Sequence, residues 1–127
     1  MAMFIFTNKI ISNEPIPVFN NGKMKRDFTY IDDIVLGTKA AIHKNYEYEI
    51  FNLGNNKSEN LMDMIGLIED EIGKKAKINY QPMQPGDVKE SFANIDHAKH
   101  KLGFNPSTSI EEGIPKFISW YKSYYNL

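Results

Sequence analysis

The sequence predicts a mixed α/β fold of short strands and about five helices, and three observations point there. Leu61, Met64, Ile65, Ile68 and Ile72 recur at helical spacing. Short runs rich in β-branched and aromatic residues, at 16–19, 48–53 and 77–80, read as strands. Asn, Gly and Pro clusters punctuate the two kinds of segment. No composition shift divides the chain, so residues 1–127 read as one piece.

Taken in order, residues 3–12 predict a helix that ends at Asn13-Glu14-Pro15, because proline disfavours helix in the residue before it. Ile16-Pro17-Val18-Phe19 predicts an edge strand, since Pro17 has no N–H to donate. Asn20-Asn21-Gly22 is a turn. Phe28, Tyr30 and Ile31 favour extended backbone, and Asp32 or Asp33 would cap a helix over 33–44. Residues 48–53 predict a strand closed by Gly54-Asn55-Asn56. Ser58 would cap a helix over 59–72, and Gly73 would end it. Lys77-Ile78-Asn79-Tyr80 predicts a strand, followed by a stiff loop holding Pro82, Pro85 and Gly86. Residues 96–102 predict a short helix with Gly103 as its cap. Ser109-Ile110-Glu111-Glu112 matches a capping box opening a last helix, with Ile114, Phe117, Ile118 and Tyr121 on one face. Pro115 should kink or delay that helix.

Composition narrows the function classes. The 127 residues are 42% hydrophobic and 24% charged, which suits a globular domain with a real core. A net charge of -1 provides no basic field for nucleic acid. The absence of cysteine excludes disulfides and thiolate metal sites and suits a reducing cytoplasm. No apolar run approaches the ~20 residues of a membrane helix. The start, Met1 to Phe6, lacks the cationic head of a signal peptide. His43, His97 and His100 fall on polar helix faces without a full ligand set, so no metal site is expected.

Chemistry concentrates in Gly22-Lys23-Met24-Lys25-Arg26-Asp27-Phe28-Thr29-Tyr30-Ile31-Asp32-Asp33. An extended run entering a helix start is a place where anions bind, and the planar fork of Arg26 can grip a phosphate bidentately. A surface ion pair is the plainer alternative for Arg26. Asp87, fixed by the Pro-Gly loop, is acceptor-only when ionised and suits a hydroxyl partner. A turn aspartate bonded to its own backbone is the alternative there. Tyr30 reads as a core residue rather than a catalytic one.

Arg26-Asp27-Phe28-Thr29-Tyr30-Ile31-Asp32-Asp33 resembles a motif of extended short-chain dehydrogenases acting on nucleotide sugars. Pro17 to Gly22, Phe51-Asn52-Leu53-Gly54, Gln84-Pro85-Gly86-Asp87-Val88 and Leu102 to Gly113 extend the resemblance, in order, to the C-terminal part of UDP-glucuronate 4-epimerases. The resemblance implies the substrate-binding portion of a Rossmann-type enzyme, with 31–54 as the last helix and strand of a dinucleotide-binding domain. It implies that Arg26 contacts the diphosphate of a UDP-sugar, that Asp87 takes a ribose hydroxyl and that Phe19 lies near the uracil. Gln84 stands where many relatives carry a phosphate-binding arginine, so it is a substrate contact without the charge. The complete enzyme would use NAD to oxidise the sugar at C4 and return the hydride to the other face.

The residues for that redox step are absent. Eight glycines are spread along the chain, the nearest pair being Gly66 and Gly73, so no dinucleotide-binding glycine loop exists. No tyrosine is followed four residues later by lysine. The chain by itself is therefore expected to have no catalytic residue, to bind no cofactor and to be inactive. Its expected partners are a UDP-sugar and either a second copy of the chain or a missing N-terminal half. The alternative is a stand-alone, non-catalytic binding or interaction module derived from such an enzyme.

Overall fold

The structure is a computed structural model and describes residues 2–127. Helix α1 (Ala2–Ile11) buries Phe6, Thr7 and Ile10. Strand β1 (Pro15–Val18) lies parallel to β4 (Lys77–Tyr80), with Ile16 opposite Ile78 and Val18 opposite Tyr80. Prolines at 15 and 17 leave β1 short of donors, which confines it to a two-stranded sheet. Ile16 and Val18 are fully buried, as alternation requires of a strand with one face on the core. A second, antiparallel pair joins β2 (Lys25–Arg26) to β3 (Glu59–Asn60), with Arg26 opposite Glu59.

The main core lies between α3 (Leu61–Ile72), α5 (Ile110–Tyr124), α1 and β1. Leu61, Met64, Ile65 and Ile68 from α3 meet Ile110, Ile114 and Ile118 from α5 there. Tyr121 closes the far end, its ring buried and its hydroxyl accepting a 3.0 Å hydrogen bond from Asn8 Nδ2. A smaller apolar cluster forms where α2 (Ile31–Lys44) meets α4 (Asp96–Leu102). Ile95, Ala98, Leu102 and Phe104 pack there against Ala40, Ala41, Phe51 and Leu53.

The five helices stand close to their expected places, and the differences lie at their ends. Asp32 and Asp33 do not cap α2, which begins two residues earlier with Tyr30 at the cap position and no side-chain bond. Asp33 is instead buried and accepts the N–H groups of Ser107 and Thr108 at 3.2 and 3.0 Å. Ser58 does not cap α3, because residues 59–60 are taken by the β2 ladder; Asn60 holds that place. Ser109 stands at the cap of α5 without the capping-box bond, and Glu112 pairs with Lys116. The last helix runs through Pro115 from Ile110 to Tyr124. Gly73 and Gly103 are in the expected left-handed caps.

Residues 48–53 are not a strand but irregular chain. The two sheets pair β1 with β4 and β2 with β3, and neither takes residues 48–53 as a further strand. Phe28 and Tyr30 are likewise outside any ladder, although Tyr30 keeps an extended ψ of 146°. His97 is not merely solvated: it lies 3.2 Å from Glu49 and stacks on Phe51, pinning this irregular stretch to α4.

Lysines and one glutamate tie the helix ends together. Lys74 Nζ donates to the Ile11 carbonyl and Lys122 Nζ to the Glu71 carbonyl, serving orphan acceptors at the ends of α1 and α3. Glu69 accepts from Lys75 Nζ and the Ala76 N–H, each at 2.8 Å. Burial works to raise the Glu69 pKa, but the Lys75 ammonium and the Ala76 N–H outweigh it and hold the carboxyl below its ordinary value of 4.5. A depressed carboxyl stabilises the fold fully above its unfolded value, and that contribution is lost as pH falls through the folded one. Glu69→Gln is therefore expected to lower stability at pH 7, with the difference from wild type shrinking as the pH drops below 4.5. Urea unfolding at a series of pH values measures this, and a constant difference would refute it.

Candidate functional site

The extended segment that leaves β2 places alternate side chains in different directions. Arg26 reaches the stiff loop after β4. Its Nη2 lies 2.7 Å from Asp87 Oδ1, and its Nη1 donates to the Lys25 carbonyl at 2.8 Å. The pair joins residues 61 apart in sequence, and both side chains are about 30% exposed, so water screens it only in part. Asp87 is held on its own side too, since its Oδ1 accepts the Val88 N–H and its N–H donates to the Gln84 carbonyl. The turn alternative for Asp87 is thus met by the Val88 N–H, and the same oxygen also holds the arginine.

Gln84 is exposed at the start of this turn. Phe19 is half-buried and opens the single 3₁₀ turn Phe19–Gly22, in which Asn20 and Asn21 both take left-handed φ of 50°. That turn is tied to the same loop by backbone bonds, Gln81 N–H to the Val18 carbonyl and Asn21 N–H to the Gln81 carbonyl. The four sequence-predicted residues therefore belong to two loops joined at Gln81, with Arg26 reaching across from β2. A cavity of about 470 Å³ opens on the Lys25 side of β2, bordered by Lys23, Lys25, Lys89 and Glu90, and none of the four lines it.

Asp27 is the residue that sequence reasoning missed. Its carboxylate accepts the backbone N–H groups of Asn55, Asn56 and Ala93 at 2.8, 3.1 and 3.0 Å, and the Thr29 hydroxyl lies 3.3 Å away. Its place between Arg26 and an aromatic run marked it as part of the motif, but no local signal names partners 28 and 66 residues away. Gly54 makes the approach possible. A Cβ there would stand 2.5 Å from the Ala93 Cβ and 2.9 Å from Asp27 Oδ2. Tyr30 packs its ring on Gly113, under the Lys116 ammonium, as a structural residue.

The sequence and the fold both have matches among known proteins. Residues 3–117 match the model of the GDP-mannose 4,6 dehydratase family. The chain belongs to that family. As a member of the GDP-mannose 4,6 dehydratase family it is 43% identical over 123 residues to the UDP-glucuronate 4-epimerase of Thermodesulfobacterium geofontis, covering 96% of this chain and 38% of the relative. Its fold matches the UDP-glucuronic acid 4-epimerase from Bacillus cereus in complex with UDP-glucuronic acid and NAD, with a TM-score of 0.86 and 30% identity over 98% of this chain and 40% of that one. The UDP-glucose 4-epimerase from Thermotoga maritima with UDP-glucose gives 0.88 and 29% over the same shares. This family member spans about two fifths of the length of these relatives. It corresponds to the C-terminal α/β portion of Rossmann-type nucleotide-sugar epimerases.

Gly54→Ala is expected to destabilise the protein by about 1–3 kcal/mol, because the clash is with backbone-anchored atoms and forces Asp27 off its three donors. Urea unfolding reads the loss, and an unchanged midpoint would show that the Asp27 junction has slack.

Proposed function

We propose that this chain is the nucleotide-sugar grip of an NAD-dependent epimerase, acting on a UDP-sugar such as UDP-glucuronate. The observation that carries the reading is the convergence of Arg26 with the 81–87 loop. A guanidinium has five N–H donors, and the two contacts Arg26 makes leave three for a diphosphate. Asp87 is placed for a ribose hydroxyl, Phe19 for the face of the uracil and the exposed Gln84 for a neutral hydrogen bond. The relatives with UDP-sugars in their sites support this assignment.

The residues present do not fit NAD. The two sheets are each two-stranded, and none of their strands runs through a glycine-rich turn into a helix N-terminus. The redox step of the complete enzyme belongs to residues other than these, and we assign it to the cytoplasm, where a cysteine-free protein is at no disadvantage. Turnover of UDP-glucuronate by this chain alone would overturn the assignment.

Helix α2 supports a place within something larger. One of its faces packs on the smaller cluster through Ala40 and Ala41, yet Ile31, Val35 and Ile42 form a second apolar stripe that is 52–71% exposed. Tyr48 and Ile50, in the irregular stretch that follows, are exposed as well. Residues 31–54 would be the piece that joins the dinucleotide-binding half, and the relatives have some three fifths of their length beyond this chain to supply it. Without that half, a second copy of the chain is the available cover.

Two measurements follow. Arg26→Ala should weaken UDP binding by about 1.5–3 kcal/mol in titration calorimetry, the worth of a charge-assisted hydrogen bond; unchanged affinity would remove Arg26 from the site. Light scattering across a concentration series should show the isolated chain self-associating and Ile42→Lys reducing it. A monomer mass at high concentration would show that the α2 stripe needs no cover.

A further inference from the structure

We infer that Asp87 is a positioning residue for Arg26, so that one carboxylate serves two parts of one ligand. The inference rests on the reading of this site as a nucleotide diphosphate grip and deepens it. Asp87 Oδ1 lies 2.7 Å from Arg26 Nη2 and accepts the Val88 N–H at 2.8 Å. Among the described residues nothing donates to its other oxygen, Oδ2. The carboxylate is therefore divided: one oxygen is committed to the guanidinium and the loop backbone, and the other is left for a ligand hydroxyl.

The arrangement fixes the guanidinium before any ligand arrives. An arginine side chain loses rotamer entropy when it is ordered, and a free one loses it on binding. Arg26 is held at both terminal nitrogens, Nη1 by the Lys25 carbonyl and Nη2 by Asp87. The plane of the fork is thereby set, while Nε–H and one hydrogen on each terminal nitrogen stay free. Two features keep Asp87 itself from moving. Its turn is closed by its own N–H on the Gln84 carbonyl, and Pro82 and Pro85 stiffen the loop before it. The negative charge of Asp87 opposes that of an incoming diphosphate, but its Oδ1 is already neutralised by the arginine it holds.

A residue that touched only the ribose would affect uridine and UDP alike, whereas one that sets Arg26 matters most to the ligand with phosphates. The test measures uridine and UDP binding by titration calorimetry or ligand-observed NMR on the full 127-residue chain, for wild type, Asp87→Ala, Arg26→Ala and the double variant. Asp87→Ala is expected to weaken UDP roughly tenfold more than it weakens uridine, the scale of one charge-assisted hydrogen bond. In the Arg26→Ala background that excess is expected to vanish, because there is no guanidinium left to position. Thermal melts of the four proteins identify any general loss of structure, which would weaken both ligands together. An equal loss for the two ligands, or an excess that persists without Arg26, overturns the positioning role and leaves the site reading standing. Wild type that binds neither ligand overturns the site reading and this inference with it.

Discussion

The Asp27 carboxylate is the point at which three stretches of chain without regular structure of their own meet. Residues 46–58 and 91–95 run outside any helix and nearly all of any ladder, so their backbone N–H groups need partners from elsewhere. Asp27 provides acceptors for Asn55, Asn56 and Ala93, and hydrogen bonds to a charged acceptor are the stronger kind. Gly54 lets the backbone come close enough for the bonds to form. Asp33 repeats the device in the first turn of α2, where it takes the N–H groups of Ser107 and Thr108. Two aspartates six residues apart thus tie the start of α2 to the loop that follows α2, to the loop before α4 and to the approach to α5.

These junctions also bridge the two apolar clusters. The larger one is closed by α1, α3, α5 and β1. The smaller one involves a seven-residue helix, two alanines of α2 and side chains from irregular chain, and it is polar contact that keeps it in register. Helix α2 is apolar on two sides, with one side satisfied inside the chain and the other open.

The site lies on the side of this frame where β2 meets the loop from Gln81 to Asp87. Arg26 and Asp27 are adjacent, and their contacts divide: Arg26 meets Asp87 on the 81–87 loop, and Asp27 accepts backbone N–H groups of the loops at 55–56 and 93. A frame that anchors Asp27 by three backbone bonds also fixes the main chain from which Arg26 projects. The prolines do the same for Asp87 from the other side. Neither charged residue then needs deep burial to be well placed, and both stay partly open to solvent.

Much of this was legible from residue order alone, because its causes are local. Helical periodicity marked α3 and α5, glycines marked the ends of α3 and α4, and prolines marked β1 as an edge. The wording around Arg26 and the Gln84–Asp87 turn identified the candidate residues and the family. What tertiary structure decided was every feature whose cause lies far along the chain. Whether 48–53 pairs as a strand depends on which edge the fold brings beside it, and neither β1-β4 nor β2-β3 is paired with it here. Whether Asp33 caps its own helix or reaches Ser107 depends on what packs beside it, and the nearby backbone donors won. Ser58 lost its cap position because β2 claimed residues 59–60 first. The partner of Arg26 is likewise a matter of folding: Asp27 is its neighbour in sequence, but successive side chains on extended backbone point apart, and so Asp87, 61 residues on, is the one it meets.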